Sequence, residues 1–124
     1  MADPPSRILI LTERIARHEL HVLANDFFEN MVKFVVDIER ELIAIGGELH
    51  TDAEQLLLTD GSREEDMWGA NYYPGRGTDR SIEFTSLINI RPAAGNRSME
   101  IEDARIRDRV REITARLVGT GEEI

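Results

Sequence analysis

The chain predicts an α+β domain: a mostly antiparallel sheet of four to five strands, with amphipathic helices packed on one face. Three observations carry that expectation. Apolar positions switch between a spacing of two and a spacing of three to four along the chain. Two alternating segments, 31–39 and 42–50, are joined by a link too short for anything but an antiparallel hairpin. Each helical segment carries a single apolar stripe, as a helix lying on a sheet requires. The expected order is β-α-β-β-α-β-β-α within one domain, residues 1–124.

Residues 1–6 are proline-rich and expected to fray. Ile8 to Leu11 is a short apolar run, read as a buried strand. Ala16, Leu20, Leu23 and Phe27 then recur at helical spacing, predicting a helix over Ala16–Phe28. Val32, Phe34, Val36 and Ile38 alternate with Lys33, Asp37 and Glu39, and Val35 breaks the alternation. A turn near Arg40 leads into Leu42–His50, where Ile43, Ile45 and Leu49 share a face. Thr51 and Glu54 fit a capping box for a helix running to about Thr59, which Asp60-Gly61 stops. Asp66–Tyr73 reads as a strand, and Pro74–Asp79 as a glycine-rich turn. Ser81–Arg91 reads as the best strand in the chain, ended by Pro92. Ile106, Val110, Ile113 and Leu117 mark the strongest helix, Glu102–Val118, and residues 119–124 follow as an expected mobile acidic tail.

Composition excludes several classes. There is no cysteine, hence no disulfide, thiolate zinc site or thiol nucleophile, which suits a cytoplasmic setting. No apolar run approaches the ~18 residues of a membrane span, and no secretory signal core follows the start. Asp and Glu number 24 against 15 Lys and Arg, so the net charge of −9 opposes nucleic-acid or anionic-membrane partners. Lys33 is the only lysine.

Chemistry concentrates at two strand ends. In ELIAIGGELHTD, Glu48 and His50 alternate along an extended chain; on one face they would stand about 7 Å apart. That pair suits proton handling, as general base and orienter. The alternative is a His50 bonded to its neighbours while Thr51 and Asp52 cap a helix. A metal site is not assigned: one histidine without an HExxH or EF-hand pattern is too sparse a donor set. The counterpart is NIRPAAGNRS, where Asn89, Arg91, Asn96 and Arg97 form a candidate ligand-binding set, the arginines suited to a carboxylate or phosphate. Its alternative is structural, with Arg91 paired to Glu48 or Glu83. Gly75-Arg76-Gly77 is too short for a phosphate loop, no G-x-S-x-G occurs, and no cofactor is indicated.

The blocks VVDIERELIAIGGELHTD, DMWGANYYP and INIRPAAGNRS resemble a family of short prokaryotic proteins classed as a domain of unknown function. The resemblance spans about Ile8 to Val118. It implies no activity, cofactor or site residue, and it places a glycine where this chain has Glu41. Two functional expectations remain. One is an anion- or small-molecule-binding domain using Glu48, His50, Asn89, Arg91 and Arg97, with enzymatic activity open. The other is a homodimeric or partner-binding module that pairs through the Trp68–Tyr73 strand.

Overall fold

The fold is given by a computed structural model describing residues 8–123. The expected frayed start lies outside the described residues. The elements are β1 (Ile8–Leu11), α1 (Arg17–Ala24), β2 (Val32–Asp37), β3 (Leu42–Gly46), α2 (His50–Thr59), β4 (Met67–Tyr72), β5 (Ile82–Glu83) and α3 (Ala104–Leu117), with 3-10 turns at Glu64–Asp66, Leu87–Asn89 and Pro92–Ala94. The sheet is wholly antiparallel in the order β1-β3-β2-β4-β5. The α+β class and the element order are those the sequence predicts.

The helices, however, lie on both faces. Phe34, Val36, Ile43 and Ile45 pack under α1 and α3, against Leu20, Leu23, Val110, Ile113 and Leu117. Val35, Ala44 and Met67 face the other way, under Ala53 and Leu57 of α2. The misfit Val35 was the sign of this second core. A strand buried on both faces loses its apolar/polar alternation, and β3 is likewise buried along its whole length.

The β2–β3 hairpin forms as expected, with Phe34 opposite Ile45 and Val36 opposite Ile43. Asp37 shapes its turn, its Oδ1 accepting from the N–H groups of Glu39 and Arg40. Glu41 closes it with a φ of 58°, a left-handed conformation that glycine adopts at least cost. Its carboxylate is held by Arg109 and Arg116 of α3, at 2.8 Å each. This ties the hairpin to the last helix.

Five other expectations change. α1 ends at Ala24 rather than Phe28, because the Asn25 side chain bonds the His21 carbonyl and accepts from the Asn30 N–H, turning the chain. α2 begins at His50 with Leu49 as its N-cap, so no Thr51 capping box forms. The long strand expected over Ser81–Arg91 shrinks to Ile82–Glu83. Beyond it, Ser86 caps a 3-10 turn through the Ile88 N–H, taking the backbone out of the sheet despite its alternating pattern. β4 lies between β2 and β5 and is buried throughout; β5 pairs only with Asn71 and Tyr72, and the side chains of Asn89 and Arg91 bond the Gly69 and Met67 backbone where an added strand would pair. The tail expected to be mobile packs back on β4: the Tyr72 hydroxyl donates to Glu123 and accepts from the Gly121 N–H, and Glu123 is buried.

Candidate functional site

The six residues singled out from the sequence separate into different roles. His50 opens α2 and is buried, its Nε2 2.7 Å from the carbonyl oxygen of Ala70 in β4. A ring nitrogen facing a carbonyl oxygen carries the hydrogen, so in the neutral ring Nδ1 holds the lone pair. Burial pushes the His50 pKa from its ordinary 6.5 down to about 4; the Ala70 bond opposes this only in part, and the Lys33 charge adds to it. The imidazole is therefore neutral near pH 7. Glu48 is exposed on the turn before α2. Because the chain becomes helical at His50, the two side chains are not neighbours on one strand face.

Asn89 is buried and grips the edge of β4. Its Oδ1 accepts from the Gly69 N–H at 2.8 Å, and its Nδ2 donates to the Gly69 carbonyl at 2.9 Å. A side-chain amide thus stands where the next strand would pair. Asn96 is equally engaged, donating to the Asn89 and Glu100 carbonyls and accepting from the Glu102 N–H, each at 2.8 Å. The Arg91 guanidinium lies 4.5 Å from the Trp68 ring centre and donates to the Met67 carbonyl. Arg97 is exposed, and its backbone N–H donates to Glu102 at 2.9 Å. These four residues hold the 86–102 segment together, whereas sequence spacing suggested ligand contacts. The two strand-end motifs do meet, since His50 bonds Ala70 and Asn89 bonds Gly69, its neighbour.

Of the six, His50 lines a cleft. A cleft of about 390 Å³ opens on the α2 side of the sheet, between the start of α2 and residues 85–88. Lys33 and Asn71 form its floor, and His50 and Thr51 one wall. Gly69 lets the opposite wall close, because a Cβ there would lie 2.7 Å from the Cβ of Ser86. The rim is apolar and open: Leu49 is 51% exposed, Leu87 70% and Met99 40%.

Sequence reasoning missed Lys33 and Asn71. Their signals were present: the only lysine sits within an apolar strand, and an asparagine sits within a strand that proves interior. Asn71 donates through Nδ2 to Glu83 Oε1 at 2.7 Å. A carboxylate can only accept, so that bond settles the amide orientation and turns Oδ1 away from Glu83. Oδ1 is buried and has no partner among the described residues.

The arrangement suits recognition better than proton abstraction, because a base of pKa about 4 takes protons poorly near pH 7. Among the described residues, no group of three or more His, Asp or Glu side chains is placed to hold a metal ion. No described helix is long and apolar enough to cross a membrane.

No curated protein matches the chain. No solved structure matches it either. A family model described as "Protein of unknown function (DUF5674)" matches residues 9–117, nearly the whole of the sheet and its helices, and the chain belongs to that family.

Proposed function

We propose that the chain binds a small organic molecule in the cleft between the start of α2 and residues 85–88. The single observation that carries this reading is the cleft itself, about 390 Å³, with a largely apolar lining that includes His50 and Lys33. The cavity volume falls in the range of about 300–1,000 Å³ typical of small-molecule pockets. An apolar wall with a few convergent polar groups is also the usual composition of such sites. His50 is the recognition residue retained from the strand-end motifs, as a neutral acceptor. Asn89 acts indirectly, by holding residues 86–89 in place as a wall. The lack of cysteine supports a cytoplasmic setting.

The test is amide-resolved NMR of the chain titrated with three fragment-sized probes: indole, benzoate and 4-methylpentanoate. The reading expects saturable shifts clustered at Leu49–Thr51, Asn71 and Thr85–Ile88. Saturable shifts confined to another part of the molecule, or no shifts with any probe at millimolar concentration, would refute it.

A further inference from the structure

We infer that the outer edge of β1 is a self-association surface, where two copies of the chain pair β1 against β1 into one continuous antiparallel sheet. The observation behind this is a mismatch between the composition of β1 and its place. Ile8, Leu9, Ile10 and Leu11 are all apolar, as in a strand buried on both faces. Interior β3 and β4 are buried along their whole lengths. β1 instead ends the sheet, with β3 as its one strand partner among the described residues. Ile8, Leu9 and Ile10 are consequently only half-buried.

Edge strands are normally protected by a charge, a proline, a bulge or a covering segment. The far side of this sheet is protected in that way: β5 is two residues long, and Asn89 and Arg91 occupy the β4 backbone beyond it. β1 has no such device. It contains no charged residue or proline, and its register against β3 is unbroken. Among the described residues, no loop or side chain bonds its backbone on the outer side. α2 and α3 are centred over β2 and β3 rather than over this edge.

Every second residue of an antiparallel edge strand points its N–H and C=O outward. An occupant must therefore be extended, and it must bring apolar side chains to both faces. Among the described residues, the strand that meets both demands and has a free edge of its own is β1 itself. Identical strands pair antiparallel about a two-fold axis normal to the sheet, and such a contact closes on itself as a dimer. With the axis at Leu9, Leu9 meets Leu9 of the partner subunit, and Ile8 meets Ile10 of the partner subunit. Directly opposed residues share a face, so Leu9 stays on the side of α1 and α3, and Ile8 and Ile10 on the side of α2. Both apolar layers then run on across the axis. The pairing strands carry no carboxylate, so chains of net charge −9 meet through a charge-free segment. A four-residue edge belongs with the small, transient interfaces below about 1,200 Å². The dimer is therefore reversible, with a Kd of about 10–100 µM.

The test is sedimentation equilibrium of the wild-type chain from about 5 µM to about 1 mM, with hydrogen exchange labelled at both ends of that range and read by mass spectrometry. A monomer–dimer equilibrium is expected, and the Ile8–Leu11 segment should exchange about fivefold more slowly at the high concentration. Ile10→Lys should weaken the dimer at least about tenfold by placing a charge in the pairing edge. Its melting temperature at about 5 µM, where the wild type is itself largely monomeric, is the control for folding. If Ile10→Lys does not fold, the wild-type measurements decide alone. A dimer whose slowed exchange lies elsewhere and not in β1 overturns the inference, as does a folded Ile10→Lys that dimerises like the wild type. A chain that stays monomeric throughout also overturns it, and leaves the edge to a strand of another protein.

Discussion

Acidification from near pH 7 to near pH 5 should destabilise the protein through His50. The folded-state pKa is depressed to about 4 from an ordinary 6.5, because burial disfavours the charged ring. A group shifted in this direction contributes its full stability above the unfolded pKa. That contribution declines as pH falls from about 6.5 toward about 4, where the unfolded chain binds the extra proton. Integrating the proton uptake over that interval gives a loss of about 2 kcal/mol near pH 5. Other groups titrate nearby: burial raises the Glu54 and Asp66 carboxyls, which works in the opposite sense. The comparison that isolates His50 is therefore wild type against His50→Gln, which keeps an amide N–H to donate to Ala70. Urea unfolding at both pH values supplies the free energies. Wild type should lose about 2 kcal/mol more than the variant on acidification. Equal losses in the two proteins would refute the buried, neutral imidazole on which the site is built.

Asn89→Ala should lower stability by about 2–3 kcal/mol in urea unfolding, because it strands the buried N–H and C=O of Gly69. An unchanged unfolding midpoint would contradict the clamp. Gly69→Ala should cost about 1–3 kcal/mol by forcing its new Cβ into Ser86, and it should weaken ligand binding by moving that wall of the cleft. Glu41→Ala should melt lower than Glu41→Gly, since both lose the Arg109 and Arg116 contacts but only glycine relieves the positive φ. Glu123→Ala should speed hydrogen exchange at Gly121, whose N–H shares the Tyr72–Glu123 cluster, without affecting probe binding in the distant cleft.

Much of the fold was legible because it is encoded locally. The β2–β3 hairpin follows from alternation and a short link, and α3 from a stripe at Val110, Ile113 and Leu117. The placement of α2 was not read, because a strand buried on both faces lacks the very alternation that signals a strand. Val35 looked like an exception, when it belonged to a second core with Ala44 and Leu57. The 81–91 segment misled for the converse reason. Ile82, Phe84, Ile88 and Ile90 alternate correctly, but Ser86 and Asn89 offer the backbone side-chain partners that compete with a ladder.

The candidate site was half legible for a similar reason. His50 could be found because histidine beside glycines and acids attracts notice. Asn89, Asn96 and Arg91 drew the same notice, yet their groups are engaged by Gly69, Glu100 and Met67. Nothing in a linear pattern distinguishes a polar side chain that binds a ligand from one that replaces a missing strand. Lys33 and Asn71 are adjacent only through the register of β2 against β4, a non-local pairing that their separation in sequence conceals.

The cleft is tested most directly by a crystal structure of the chain soaked with 4-methylpentanoate. Ligand density is expected between the start of α2 and residues 85–88, with the branched body against Leu49, Leu87 and Met99. A well-ordered cleft that stays empty at saturating ligand, or density only elsewhere on the molecule, would overturn the small-molecule reading.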